Sequence, residues 1–402
     1  MSEGTTMRAL RLLAGVAAAC GLATAAWGQN ASLRGYVGAD TRIYPSGAAF
    51  DGQEHMPVSL LAEPRLRVVS ADRRKAFLFV PYVRESAGTT DREGGDIRDL
   101  SASYYGDGWS ALIGVSRVFW GAVESLHMVD IVNQSDMSED YRGHFKLGQP
   151  MAMLTLDHGR GQFELLALPG VRERRFARSR SRPRLALPVL ADAAFPDGKA
   201  PGWAVRATFS HDRLDAHLSH FDGISREADF VPAFDGQGRV VALRPSYRRI
   251  RQTSLDLTYS LDALILKGEF LYRRGYRRGF AAGAAGAEYV LAANARGADR
   301  ALFVEHLFDQ RPSDAPPALF RRGWFLGGRY AANDAASSEI RGGIIFDVDS
   351  GARSFRIEGK RRWRQHWLLN LEFNGFAAVD DSASLASFGD DSHLRLLIQR
   401  NF

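Results

Sequence analysis

Along most of the chain, apolar and polar residues alternate one for one. Leu33, Val37 and Ala39 are out of phase with Arg34, Tyr36, Asp40 and Arg42. Leu255, Leu257 and Tyr259 oppose Ser254, Asp256 and Thr258, and Leu264, Leu266, Phe270 and Tyr272 oppose Lys267, Glu269 and Arg273. Ile340, Ile344 and Phe346 do the same against Glu339, Arg341 and Asp347, as do Phe355, Ile357 and Trp363 against Arg356, Glu358, Lys360 and Arg362. Side chains of a strand point alternately to its two faces, so each run predicts a β-strand with one greasy and one wet face. The last ten residues, HLRLLIQRNF, keep the pattern up to Phe402. Terminal residues usually fray, so an aromatic ending on a clean alternation predicts a strand that closes a barrel.

Alternation alone also suits a soluble sandwich with one solvated face. The connections decide between the two. Short turns such as YSLDAL and AANDAASS alternate with long polar excursions at 86–96, 120–148, 170–200, 223–246, 309–320 and 378–390. Short turns at one rim and long loops at the other are the outer-membrane arrangement, and so are charges on one face and aromatics near the ends of the other. The expectation is all-β: a transmembrane antiparallel up-and-down barrel of about 18 strands, with 16 as the next choice. Such a barrel is wide enough to leave an aqueous channel.

The N-terminus adds a destination. MRALRLLAGVAAACGLATAAWGQ has a basic start, an apolar stretch and a small-x-small site at Ala26-Trp27-Gly28, the layout of a secretory signal peptide. Residues 1–28 are expected to be removed, leaving 29–402 as one barrel domain. Cys20, the single cysteine, falls inside the leader, which leaves no disulfide framework or thiolate chemistry in the mature chain. The formal charge of +6 comes from 47 arginines and 5 lysines against 46 acids. Export argues against nucleic acid as the partner of that charge. Outer-membrane lipid and lipopolysaccharide, the barrel-insertion machinery and small polar or anionic solutes are the expected partners, and the oligomeric state is left open. No motif demands a cofactor or nucleotide.

Three stretches stand out from the wall. In 120–148, Glu124, His127, Asp130, Asn133 and Asp136 are interleaved with Val123, Leu126, Val129, Ile131 and Val132, a spacing that suits a short amphipathic helix. The segment is expected to fold into the lumen as a loop or short helix, its acids facing arginines such as Arg65, Arg67 or Arg117. It would then serve either as a constriction or as packing that holds the barrel's shape. Its ligand types lack the spacing of a known metal site, and no metal is expected. FSHDRLDAHLSHFDG places His217, Ser219 and Asp215 on one face, but residues two apart on a strand lie roughly 6–7 Å apart. That is too far for a serine–histidine pair, so polar lining is expected and no catalytic group. RERRFARSRSRPR carries seven arginines between Arg172 and Arg184, read as an anion-drawing or lipopolysaccharide-bridging outer loop, or simply a solvated one.

RVFWGAVESLHMVDIVNQSD, PSYRRIRQTSLDLTYS and ALFVEHLFDQRP, followed by GGRYAANDAASSEIRGGIIFDVDSG, resemble an uncharacterised family of proteobacterial outer-membrane porin-like β-barrel proteins. The resemblance spans nearly the whole mature chain and implies a barrel of the Gram-negative outer membrane, but no reaction. His306 stands where the family has a tyrosine, and Arg400 where an aromatic or aliphatic residue is common. The expected function is therefore passive diffusion of small polar or anionic solutes. The lumen cations, Arg65, Arg67, Arg341, Arg356 and Arg362 among them, slightly outnumber the acids and predict a weak anion preference. Two alternatives stay open. One is a barrel-embedded enzyme using His217, Ser219 or Glu124; the other is a plugged structural or adhesive barrel.

Overall fold

The computed structural model describes residues 30–87, 92–293, 297–380 and 385–402. The expected leader, 1–28, lies outside the described residues. The chain forms β1 (Ala31–Ile43), β2 (Val58–Val69), β3 (Lys75–Ala87), β4 (Gly94–Tyr105), β5 (Trp109–Ser116), β6 (Gln149–His158) and β7 (Gly161–Leu168). There follow β8 (Gly202–His211), β9 (Leu214–Ile224), β10 (Asp229–Phe234), β11 (Val240–Ser246), β12 (Arg249–Leu261) and β13 (Leu264–Arg274). The last are β14 (Phe280–Leu291), β15 (Asp299–Asp309), β16 (Arg322–Ala331), β17 (Glu339–Asp347), β18 (Arg353–Trp363), β19 (Trp367–Ala377) and β20 (His393–Asn401).

Eighteen of these strands make one antiparallel sheet, and the sheet closes where β20 pairs with both β19 and β1. Phe402 belongs to the seam: its N–H donates to Gly35 O at 3.0 Å and its carbonyl accepts from Gly35 N at 3.1 Å. On the other side of β1, a side chain at Gly35 would meet the Glu63 carbonyl at 2.4 Å, so only glycine lets β2 approach this closely here. β10 and β11 form a separate hairpin within the long connection between β9 and β12.

The polarity is inverted relative to a soluble protein. Leu33, Leu60, Ile113, Leu218, Leu302 and Trp324 are exposed on the outer wall, while Asp40, Arg84, Asp256, Glu269, Arg273 and Glu305 are almost fully buried inside it. This is the lipid-facing and lumen-facing division that a membrane barrel requires. Several tight turns put a residue in the left-handed region, Asp212 at φ 51° and Asp262 at φ 50°, a conformation that aspartate tolerates. His306 and Arg400 share the outward face of their strands with Leu302 and Leu396, and His306 rests edge-on against Trp324 with ring centroids 4.8 Å apart.

The lumen is not empty. Trp120, Val129, Ile131 and Val132 pack on inward Met151, Leu166, Ala204, Phe221 and Ile250. Val123, Tyr141, Phe320 and Phe388 pack on inward Phe303, Phe325, Leu307 and Ile345. Where the long loops turn in, the wall therefore presents apolar residues to the inside as well, and a hydrophobic core forms within the barrel.

Candidate pore constriction and vestibule

The segment between β5 and β6 turns into the lumen and is gripped by side chains of the opposite wall. Glu269 on β13 accepts backbone N–H bonds from Ala122 at 2.7 Å, Val123 at 3.2 Å and Val129 at 3.4 Å, and lies 3.4 Å from His127 Nδ1. Glu305 on β15 accepts from the backbone of Glu124 at 2.7 Å and Ser125 at 3.0 Å. Two wall carboxylates thus satisfy the donors of an irregular backbone, which would otherwise be costly to bury. Gly121, at φ 150°, makes room for the first: a Cβ there would stand 2.7 Å from Glu269 Oε1.

No helix forms between 117 and 148; the segment is a chain of turns. The apolar spacing serves packing against two sides of the wall, and wall glutamates take the hydrogen bonds that helical carbonyls would have taken. The acids also find partners other than those expected. Glu124 pairs with Lys267 at 2.8 Å, Asp130 with Lys146 at 3.3 Å and Asp136 with Arg175 at 3.0 Å. Arg117 pairs with Asp99 instead, at 3.0 Å. Arg65 and Arg67 lie towards the short-turn rim, exposed, with no ion pair among the described residues. Asn133 is buried and closes the neck of the loop, donating to Ser116 O and Leu147 O, both at 2.9 Å, and accepting from Val118 N at 3.0 Å.

Deeper anchors join residues that the alternation singled out, Asp40 and Arg356 among them, to Arg84, Glu139 and Asp140, which it did not. Glu139 receives Arg84 Nε at 2.7 Å, Arg84 Nη2 at 2.8 Å and the Tyr82 hydroxyl at 3.0 Å. Arg84 and Arg395 both reach Asp40, at 2.6 and 2.7 Å. Arg356 binds Asp140 at 3.1 Å and Glu372 at 3.3 Å and also pairs with Glu358. Arg341 reaches Glu358 at 3.5 Å, whereas Arg362, nearer the short-turn rim, stays exposed. The arginine-rich segment is solvated only around Arg178 and Arg180. Arg182 is buried against Asp391 at 2.7 Å, Arg172 binds Asp96 at 2.7 Å, and Arg184 stacks on Phe50. His217 bonds Thr208 Oγ1 at 2.9 Å, while Ser219 lies buried elsewhere on the wall.

Between the inward loops lies a cavity of about 340 Å³, walled by Phe119, Met128, Ile131, Phe176, Leu185 and Phe320 among others. Its acids, Asp130, Glu227 and Asp309, are all paired with Lys146, Arg273 or Arg311. Arg142, Arg174, Arg184 and Arg226 also line it, and among the described residues none of the four has a carboxylate partner. Arg226 is 4% exposed and donates only to the Val132 and Ile224 carbonyls, both at 2.9 Å. Burial pulls its guanidinium down to about 10, so it stays cationic at neutral pH. Arg142 and His144 also border a smaller pocket of about 40 Å³ with Glu124, Arg341, Arg356 and Glu358. His127 and Asp130 face the first cavity and Glu124 the second; neither is lined by Asp136. Among the described residues, no group of three or more His, Cys, Asp or Glu side chains is placed to hold a metal ion.

No family model and no curated protein matches the sequence. Solved structures do match in three dimensions. OccAB1 of Acinetobacter baumannii superposes with a TM-score of 0.56 at 10% identity, over 93% of this chain and 96% of that one. A BenF-like porin from Pseudomonas fluorescens Pf-5 gives 0.55 at 9% identity, over 93% and 97%. Wzi of Escherichia coli, described as a carbohydrate-binding β-barrel of the outer membrane, gives 0.55 at 10% identity, over 93% and 85%. The fold is that of a porin-like outer-membrane barrel. At these identities the likeness is one of fold, and none of the three is described as an enzyme.

In this porin-like barrel the inward loop is sensitive to acid. Burial, opposed by Asp140 but aided by Arg356, lowers His144 to about 3, so its imidazole is neutral at pH 7. The unfolded chain would take up that proton near 6.5. Stability from the neutral ring is therefore complete above about 6.5 and falls as pH drops towards 3. Burial raises the Glu139 carboxyl, but the surrounding Arg84, Arg92, Arg395 and Arg42 outweigh it and bring it down to about 2. Its contribution is present above about 4.5 and lost as pH falls through 2. Open-channel noise is expected to grow between pH 7 and pH 4.5 in bilayer recordings. In His144→Gln that growth should be largely absent.

Proposed function

We propose that the protein lies in the outer membrane of a Gram-negative bacterium and passes small anionic solutes by passive diffusion through a lumen narrowed by its own loops. One observation carries the sign of the charge: four guanidiniums line the larger cavity without carboxylate partners, while every acid there is neutralised. In a site of reduced dielectric, such cations attract an anion more strongly than they would in water. The apolar walls would accommodate a carbon skeleton, and guanidiniums suit carboxylate or phosphate oxygens. Nothing in this role needs covalent chemistry.

The test is a reversal potential in a salt gradient across a planar bilayer. Wild type should favour anions, and Arg142→Gln/Arg174→Gln should lose most of that preference. Cation preference in the wild type would overturn the reading. Carbohydrate, which Wzi is described as binding, is the competing ligand class. Block of the open channel by oligosaccharide but not by small carboxylates would favour it. The plugged-barrel reading rests on the packing of loops inside the lumen, and a silent wild type would support it.

A further inference from the structure

At the long-loop rim of the outer wall, three arginines share one small area. Arg249, Arg251 and Arg274 alternate with the lumen-buried Gln252 and Arg273, so they project outwards with Leu255, Phe270 and Tyr272. Arg251 and Arg274 stand directly opposite each other in the β12–β13 ladder. Like charges so placed repel, and a sheet normally avoids the pairing. Asp222 binds Arg249 at 2.7 Å and Arg251 at 2.9 Å, and Asp197 accepts from the Arg249 backbone N–H at 2.9 Å. Arg274 has no carboxylate partner among the described residues; its guanidinium lies 5.3 Å from the centre of the Tyr272 ring.

On the same face, exposed Trp203 stands in one register row with Asp222 and Arg251, tilted against His220 with ring centroids 5.3 Å apart, and exposed Tyr272 lies two residues below Arg274. Aromatics of this kind mark the level of the membrane interface. The cations therefore sit at headgroup height on the loop side. Elsewhere around the same rim outward Ile43, Val58 and Ile97 are apolar, and the outward arginines there stand singly: Arg322 pairs with Asp349 at 2.7 Å, and Arg353 lies over the Phe346 ring.

We propose that Arg251 and Arg274, with Arg249, form a docking site for the phosphate groups of outer-leaflet glycolipid, lipopolysaccharide being the occupant. A phosphate bridging the two facing guanidiniums replaces their repulsion with charge-assisted, bidentate hydrogen bonds. The neighbouring aromatics receive the acyl chains. The proposal rests on the outer-membrane placement given above but not on conduction.

The full-length mature protein, folded in detergent, is titrated with purified lipopolysaccharide and its melting temperature is followed. Parallel titrations use the dephosphorylated glycolipid and inorganic phosphate. Lipopolysaccharide should raise the melting temperature of the wild type, and the two other titrants should leave it unchanged. Arg251→Gln/Arg274→Gln should lose the shift, and Arg274→Gln, which breaks no ion pair, should lose most of it even if the double variant folds poorly. Arg361→Gln, an outward arginine at the short-turn rim, should keep the shift in full. An equal shift in the Arg274→Gln variant, or one produced by the dephosphorylated lipid, would overturn the site. A shift reproduced by inorganic phosphate would reduce it to an ion site rather than a lipid one. Because melting is read rather than current, a barrel that proves not to conduct still answers the question.

Discussion

Excision of Glu124–Lys146, with a short Gly-Ser bridge in its place, is expected to raise single-channel conductance severalfold and to make the steps uniform. The excised residues occupy the lumen, and a barrel of about 18 strands without such a filling leaves an open aqueous channel. Leu147 lies beside Ser116 at the neck of the loop, where Asn133 bonds both carbonyls, so residues 117–123 and the bridge have only to return to that neck. A finer version leaves the loop in the chain and cuts its holds. In Glu269→Ala/Glu305→Ala the backbone N–H groups of Ala122, Val123, Glu124 and Ser125 lose their acceptors. That variant should flicker between wild-type and enlarged steps, whereas Glu269→Gln/Glu305→Gln, which retains one acceptor oxygen per side chain, should flicker less. Unchanged conductance in the excision variant would show that this segment is not the narrow part of the path.

The second large effect concerns stability. Glu139→Ala is expected to cost about 3–5 kcal/mol, the usual consequence of removing one member of a buried ion cluster. The carboxylate binds Arg84 through two hydrogen bonds, lies 3.6 Å from Arg92 and accepts the Tyr82 hydroxyl. Asp40 would be left to neutralise Arg84 and Arg92 alone, while sharing Arg395 with Glu372. Equilibrium unfolding in urea, in detergent or in vesicles, should show the midpoint lowered. Adding Arg84→Met should recover part of the loss, since the excess cation then goes with its partner. A Glu139→Ala protein as stable as wild type would mean that water, not the arginines, solvates this carboxylate.

How much of the molecule was legible beforehand differs sharply between wall and filling. The alternation around Leu255–Leu261, Leu264–Arg273 and His393–Phe402 matches the strands and the seam, because a strand's period of two is a local property and the membrane imposes a single polarity on every strand. The inward segment was legible as unusual, and Glu124, His127 and Asp130 do face the internal cavities. Its conformation was not legible. The spacing of Val123, Leu126, Val129 and Ile131 resembles a helix, yet those residues pack against different parts of the wall. The deciding hydrogen bonds come from Glu269 and Glu305, 140 or more residues further along the chain. Arg182 misled for the same reason: a run of arginines looks solvated until Asp391, 209 positions away, is brought against one of them.

The sequence by itself determined that this is an antiparallel barrel, roughly how many strands it has, and which face of each meets lipid. Those properties follow from side-chain period and turn chemistry, which each short segment carries independently. Only the tertiary structure decided what fills the lumen, which carboxylates clasp the loop, and which cavity guanidiniums have no carboxylate partner among the described residues. Pairing of charges depends on distance in space, and closing the barrel brings together residues as far apart as Asp40 and Arg395.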